Sequence, residues 1–225
     1  MTSGGFAAHD PAGYPERMTR PAAPAPHAAP APHADAAIDR SADPAAAPQA
    51  RYQVRFDTGA DGLARIGAGA QVVVWVDPLG TVAPPLDAIT AGAGAEPGAE
   101  PAVLVAGFVD AAATARWILA EQERLGRRAY LAVIAADAGD GFAALDVLAA
   151  GAVIDALTAL GIDDTSPEAA VASAAFSGLR RAVRHLATAS VAGRTAALAG
   201  RSHDELVQAA TLDASDVARV VRSAR

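Results

Sequence analysis

Apolar positions follow two different rhythms along this chain, and the change from one to the other marks out its elements. Tyr52-Gln-Val-Arg-Phe56 alternates apolar and polar residues, the period of a half-exposed strand. Gln71-Val-Val-Val-Trp-Val-Asp77, Ala102-Val-Leu-Val-Ala106 and Ala129-Tyr-Leu-Ala-Val-Ile-Ala135 are short unbroken apolar runs, which predict strands covered on both faces. Between them, Ala111 to Leu125 places Ala115, Ile118, Leu119 and Gln122 along one helical side, with Gly126 positioned to stop it. Gly59 to Gly69 reads as turns and a short connection. Gly80 to Pro101 reads as a surface loop with at most one helical turn around Leu86 to Ile89.

After the third apolar run the rhythm becomes helical. Phe142, Leu145, Leu148, Ala152 and Ala156 recur at steps of three and four, which predicts a largely buried helix over Gly141 to Leu157. Ser166-Pro-Glu then starts a further helix with a capping residue and a first-turn proline. Its apolar positions run through Ala172, Phe176, Leu179 and Val183, and Arg180, Arg181 and Arg184 fall in its last turns. Asp204 to Ala210 reads as another helix. Leu212 to Val221 closes the pattern with two acids and an apolar end. Strand–helix–strand alternation followed by helices predicts an α/β fold: a mainly parallel or mixed sheet flanked by helices, with a helical C-terminal third.

Residues 1–50 break both rhythms. Runs such as Pro21-Ala-Ala-Pro-Ala-Pro-His-Ala-Ala-Pro-Ala-Pro32 carry few large apolar side chains, and their prolines lack backbone donors, so a disordered tail is expected. It holds His9, His27 and His33, read as solvated tail residues rather than a metal-binding tract. Residues 51–225 are expected to form a single domain.

Composition narrows the chemistry. The 18 basic residues are all Arg, and neither Lys nor Asn occurs, which excludes a P-loop lysine or a Schiff-base lysine. Without Cys there are neither disulfides nor thiolate metal sites. A formal charge of -7 and a pI near 5.1 argue against a nucleic-acid surface. No apolar run reaches the roughly 18 residues of a membrane span, and no apolar signal core is visible, so a cytoplasmic protein without a membrane partner is expected. Gly67-Ala-Gly69 precedes its strand, the wrong side for a dinucleotide fingerprint.

Candidate chemistry gathers where strands end. Asp77 closes a central strand at the carboxyl edge, where open α/β sheets place ligands; a turn-starting Asp before Pro78 is the competing reading. The junction between Ala135 and the next helix aims free amides and a positive dipole end at a loop, which suits phosphate, and Asp137, Asp140 and Asp146 cluster there as hard oxygen ligands of the kind that hold Mg²⁺. Asp140 reads as a helix N-cap ahead of a ligand, since Asp favours that position for local reasons. Ser190-Val-Ala-Gly193-Arg194 combines a hydroxyl, a permissive backbone and a guanidinium able to clasp a phosphate.

These blocks together resemble the 2-phosphosulfolactate phosphatases. Gly141-Phe-Ala-Ala-Leu-Asp146-Val-Leu-Ala-Ala-Gly151-Ala-Val-Ile-Asp155-Ala-Leu157 is similar to that family's acid-bearing helix, with Leu145 in place of its usual Glu. Ser190-Val-Ala-Gly193-Arg194 with Gly200 and Asp204 resembles a second block. Asp213-Ala-Ser-Asp216-Val217 resembles its closing run, with Arg219 where proline is usual. Strand 71–77 resembles its start, although Gly80 replaces the Arg after the first Asp. The family's long middle section, including an Asn-containing motif, has no counterpart between Ile89 and Val103.

The resemblance implies Mg²⁺-dependent hydrolysis of 2-phospho-3-sulfolactate, a small anionic phosphate ester, to sulfolactate and phosphate, a step of coenzyme M biosynthesis. It implies Asp77 and Asp146 as catalytic Mg²⁺ ligands, and Ser190, the Gly193 amide and Arg194 as phosphate-binding groups. The missing section supports the alternative of a catalytically degenerate homologue acting as a binding or assembly module. Edges left exposed by that section would favour a homodimer.

Overall fold

The computed structural model describes residues 48–89, 100–139 and 142–224. The expected tail, with its three His residues, therefore lies outside the described residues up to 47, as do Asp140 and Gly141.

Five strands form one sheet in the order β1-β4-β2-β3-β5, where β1 is Val54–Thr58, β2 Val72–Val76, β3 Ala102–Ala106, β4 Leu131–Ala135 and β5 Arg219–Arg222. The first four are parallel and β5 pairs antiparallel with β3. This is the expected α/β architecture with a mixed sheet. β2 lies at its centre, and every one of its residues is buried. Alternation divides the two faces. Val72, Val74 and Val76 point into the larger core with Leu104, Val133 and the helices α2 (Ala111–Leu125), α3 (Ala144–Ala159) and α4 (Pro167–Leu179). Val73 and Trp75 face a smaller cluster built on Leu63 and Ile66.

Leu63 and Ile66 belong to α1 (Gly59–Ile66), a helix where the glycine-rich sequence predicts only turns. Its glycines are poor helix formers, yet Leu63 and Ile66 fall on one side and bury against the sheet, and that packing outweighs propensity. The first strand also starts two residues late and is buried rather than half-exposed. Its polar member Arg55 is only 4% exposed because its guanidinium donates to the carbonyls of Ala50, Tyr52, Ile66 and Ala68 and lies over the Tyr130 ring.

α2 spans the predicted residues and ends at Gly126, whose φ of 64° is the left-handed conformation that closes helices. α3 begins at Ala144 rather than Gly141, so Phe142 lies before the helix and is 78% exposed instead of joining its buried stripe. α3 and α4 pack so closely that a Cβ added at Gly151 would lie 2.1 Å from the Ala172 carbonyl oxygen. The loop between them runs beside β1, with the Val54 amide donating to the Asp164 carbonyl and the Val54 carbonyl accepting the Ser166 amide, which covers part of that edge.

α4 does not continue to Val183 as its apolar spacing suggests. It stops at Leu179, passes through a 3₁₀ turn over Arg180–Ala182 and restarts as α5 (Val183–Ala189). Ser190-Val-Ala-Gly193-Arg194 is the cap and first turn of α6 (Val191–Leu198). α7 (His203–Ala209) starts with a Ser202/Glu205 capping box.

The closing segment carries β5, which the sequence reading does not anticipate. It is anchored by Asp110, 1% exposed at the carboxyl end of β3, which accepts from Arg219 Nε at 2.6 Å and from the Gly107 amide at 2.8 Å. Arg219→Ala should therefore cost about 2 kcal/mol, less than a fully buried pair because the guanidinium is half exposed. Urea denaturation measures that loss, and an unchanged midpoint would show that β5 docks without this pair.

Candidate functional site

All four parallel strands bring an acid to the same edge, and each acid has local work. Asp57, near the end of β1, accepts Arg65 Nε and Nη2 at 2.8 Å each. Asp77, one residue beyond β2 and 2% exposed, accepts the amides of Leu79 at 3.1 Å and Gly80 at 2.7 Å on one oxygen and that of Val82 at 2.5 Å on the other. Asp110 serves Gly107 and Arg219 after β3. Asp137 accepts the Gly139 amide after β4. Chain reversal at the end of a strand leaves amides without sheet partners, and a short carboxylate reaching forward satisfies them.

Burial pushes the Asp57 carboxyl up, but the Arg65 hydrogen bonds, the Thr58 amide and the Arg65 charge together hold it below the ordinary 3.8. A depressed folded value means that the pair's contribution is present above the ordinary range and is lost as pH falls through the lowered value. Asp57→Asn should thus narrow the gap between melting temperatures at pH 7 and pH 3. An unaltered gap would remove this pair from the acid limb.

Asp146 lies in the first turn of α3, is buried and is not without a partner. Val76 of β2 and Ala135 of β4 are register partners, so Asp77 and the α3 entry follow neighbouring strands out of the same edge. No side chain caps α3 at Ala143. Ser190 caps α6: its Oγ accepts the Gly193 amide at 3.1 Å, which leaves the hydroxyl hydrogen to donate elsewhere. Gly193 is required by a close approach, since a Cβ there would sit 1.7 Å from the Ala187 carbonyl oxygen. Arg194 is exposed on the same turn.

The feature that sequence reading misses is a cavity of about 280 Å³ between α3, α4 and α5. Leu145, Leu148, Ala175, Leu179, Leu186 and Ser190 line it, and Phe142 stands at it. It unites Ser190 with the turn that carries Asp146. The available signal was Phe142 itself, an aromatic residue just ahead of a helix start at a ligand-prone sheet edge.

The two Asp residues fit Mg²⁺ only in part. Three of the roughly four lone-pair positions of the Asp77 carboxylate are taken by its own loop. Among the described residues no group of three or more His, Asp or Glu could hold a metal. Mg²⁺ commonly takes one or two protein carboxylates and fills its remaining positions with water and substrate oxygens. Among the described residues, no helix is long and apolar enough to cross a membrane. Compared with protein-family models, curated proteins and solved structures, the chain matches none.

Proposed function

We propose that this chain is a divergent phosphatase of the 2-phosphosulfolactate phosphatase type, hydrolysing a small phosphate monoester at the carboxyl edge of its sheet. Two observations support this reading: Asp77 and the α3 entry that carries Asp146 follow neighbouring strands, and Ser190 shares a cavity with the first turns of α3. The start of α3, where Ala143 has no side chain able to cap it, directs the positive end of the helix dipole at an anion. Ser190 can donate its hydroxyl hydrogen to a phosphate oxygen, and Arg194 supplies a guanidinium on the adjacent turn. Gly193 contributes by admitting the tight turn, its amide being engaged by Ser190.

Hydrolysis breaks the ester P–O bond, adds a water oxygen to phosphorus and returns a proton to the leaving alkoxide. Its rate depends chiefly on positioning and charge stabilisation. Mg²⁺, which the resemblance assigns to Asp77 and Asp146, would supply charge neutralisation at the phosphate. Phosphate release from a panel of small phosphate monoesters, 2-phospho-3-sulfolactate and phenyl phosphate among them, with Mg²⁺ and with EDTA, is the test. Metal-dependent release from at least one of them is expected, and no release from any would overturn the proposal.

The Asp77 geometry favours one second reading, a catalytically degenerate binding module, because that acid's oxygens already serve the loop. Titration calorimetry with Mg²⁺ and inorganic phosphate separates the two: the module would bind phosphate without metal dependence and release none.

A further inference from the structure

The cavity beside the phosphate-binding groups has a wall of carbon. Among the described residues, the side chains that line it are aliphatic or aromatic apart from the Ser190 hydroxyl, and no Arg, His, Asp or Glu is among them. Sulfolactate carries a carboxylate and a sulfonate, and a charged group placed against such a wall would lose water without gaining a partner. An apolar body loses nothing by the same move, and each buried methylene contributes about 0.8 kcal/mol. Size agrees with this. A cavity of about 150 Å³ holds benzene, and here about 280 Å³ lies in a half-open cleft between three helices. The space is concave, which suits a small molecule better than a flat protein surface.

We infer that this cavity binds the apolar body of a small ligand, and that the phosphate ester accepted beside it carries an aromatic or branched-aliphatic alcohol in place of sulfolactate. The inference rests on the proposed phosphate site for the anionic end of that ligand. Ser190 lies where the two ends meet, its hydroxyl free to donate to the ester or phosphate oxygen while Leu145, Leu148 and Leu179 enclose the carbon skeleton. Phe142, largely exposed at the cavity, gains cover when the body is seated.

The experiment uses the full chain and four probes in titration calorimetry: phenyl phosphate, 2-phosphoglycerate, inorganic phosphate and phenol. Phenyl phosphate is expected to bind at least about tenfold more tightly than 2-phosphoglycerate, a difference of about 1.4 kcal/mol. Ala189→Leu, and separately Ala175→Leu, fill the cavity. Each should remove that preference while leaving the affinity for inorganic phosphate unchanged, with circular dichroism confirming the fold. Phenol binding that disappears on filling supports the cavity site even if neither phosphate ester binds, an outcome that would defeat the phosphatase reading alone. Equal or tighter binding of 2-phosphoglycerate, with inorganic phosphate still bound, would overturn the inference and leave the phosphate site standing. Failure of phenol and phenyl phosphate to bind would overturn it too, as would a Phe142→Ser variant that converts a dimer to a monomer and shows that a second copy covers the cavity.

Discussion

Gly151→Ala should lower stability by about 3 kcal/mol, the upper range for overpacking a close contact, and so lower the melting temperature by about 6–12 °C for a chain of this size. The sign is the informative part. Gly151 sits inside α3, where alanine is the better helix former by about 1 kcal/mol, so propensity alone predicts a gain. The geometry reverses that sign. A Cβ at this position would lie 2.1 Å from the Ala172 carbonyl oxygen and 2.8 Å from the Phe176 Cβ, and the first of these neighbours is α4 backbone that cannot swing aside. Relief requires the two helices to separate, which loosens Leu148, Ile154, Ala169 and Phe176 in the same core. Thermal denaturation followed by circular dichroism measures the effect. A raised melting temperature would mean that α3 and α4 are not packed this closely.

The sequence made the sheet legible where burial is complete. β2, β3 and β4 are unbroken apolar runs because both of their faces are covered, and α2 shows its period because one of its sides meets the sheet. α1 and β5 escaped for opposite reasons. In α1 the glycines argue locally against a helix that tertiary packing of Leu63 and Ile66 stabilises. β5 is an exposed edge strand whose position depends on a contact 109 residues away, between Arg219 and Asp110. The corner from α4 to α5 reads as one helix through Val183, because steps of three and four continue across a 3₁₀ turn without a visible break.

For the candidate site, the sequence shows which acids follow strands and not what those acids bond. The strand-end rule places Asp77 and the α3 entry at one edge, and the register of β2 with β4 agrees. What the sequence cannot display is that a carboxylate's partners are backbone amides of its own loop, since any residue supplies an amide. Ser190 and Gly193 are a related case. Their spacing suggests an anion clasp, while in the structure it also provides a helix cap and a close backbone approach. The cavity was hidden because Phe142 fits the spacing of the buried stripe although it precedes the helix.

Asp77→Ala should cost about 3 kcal/mol, because three amides lose their acceptor at once and each buried unmet donor carries a penalty of about 1–3 kcal/mol. The sum stays at the lower end since Gly80 is exposed and water can replace the acid there. Leu79 is buried, and Val82 offers its carbonyl to the Trp75 indole at 2.8 Å, so the loop holds the smaller core shut. Asp77→Asn separates the two roles of this residue. Its remaining oxygen can still accept from Leu79 and Gly80, but an amide NH₂ would face the Val82 N–H, donor against donor. About half the loss is therefore expected, with faster hydrogen exchange at Val82 than at Gly80. A residue whose main task is metal binding predicts the reverse: Asp77→Asn would leave melting and exchange unchanged without Mg²⁺ and abolish any shift that Mg²⁺ produces in the wild type. That second pattern would show that the acid is available to a metal despite its loop. The first would make Asp77 the clasp of that loop and leave Asp146 and substrate oxygens to hold any cation at this edge.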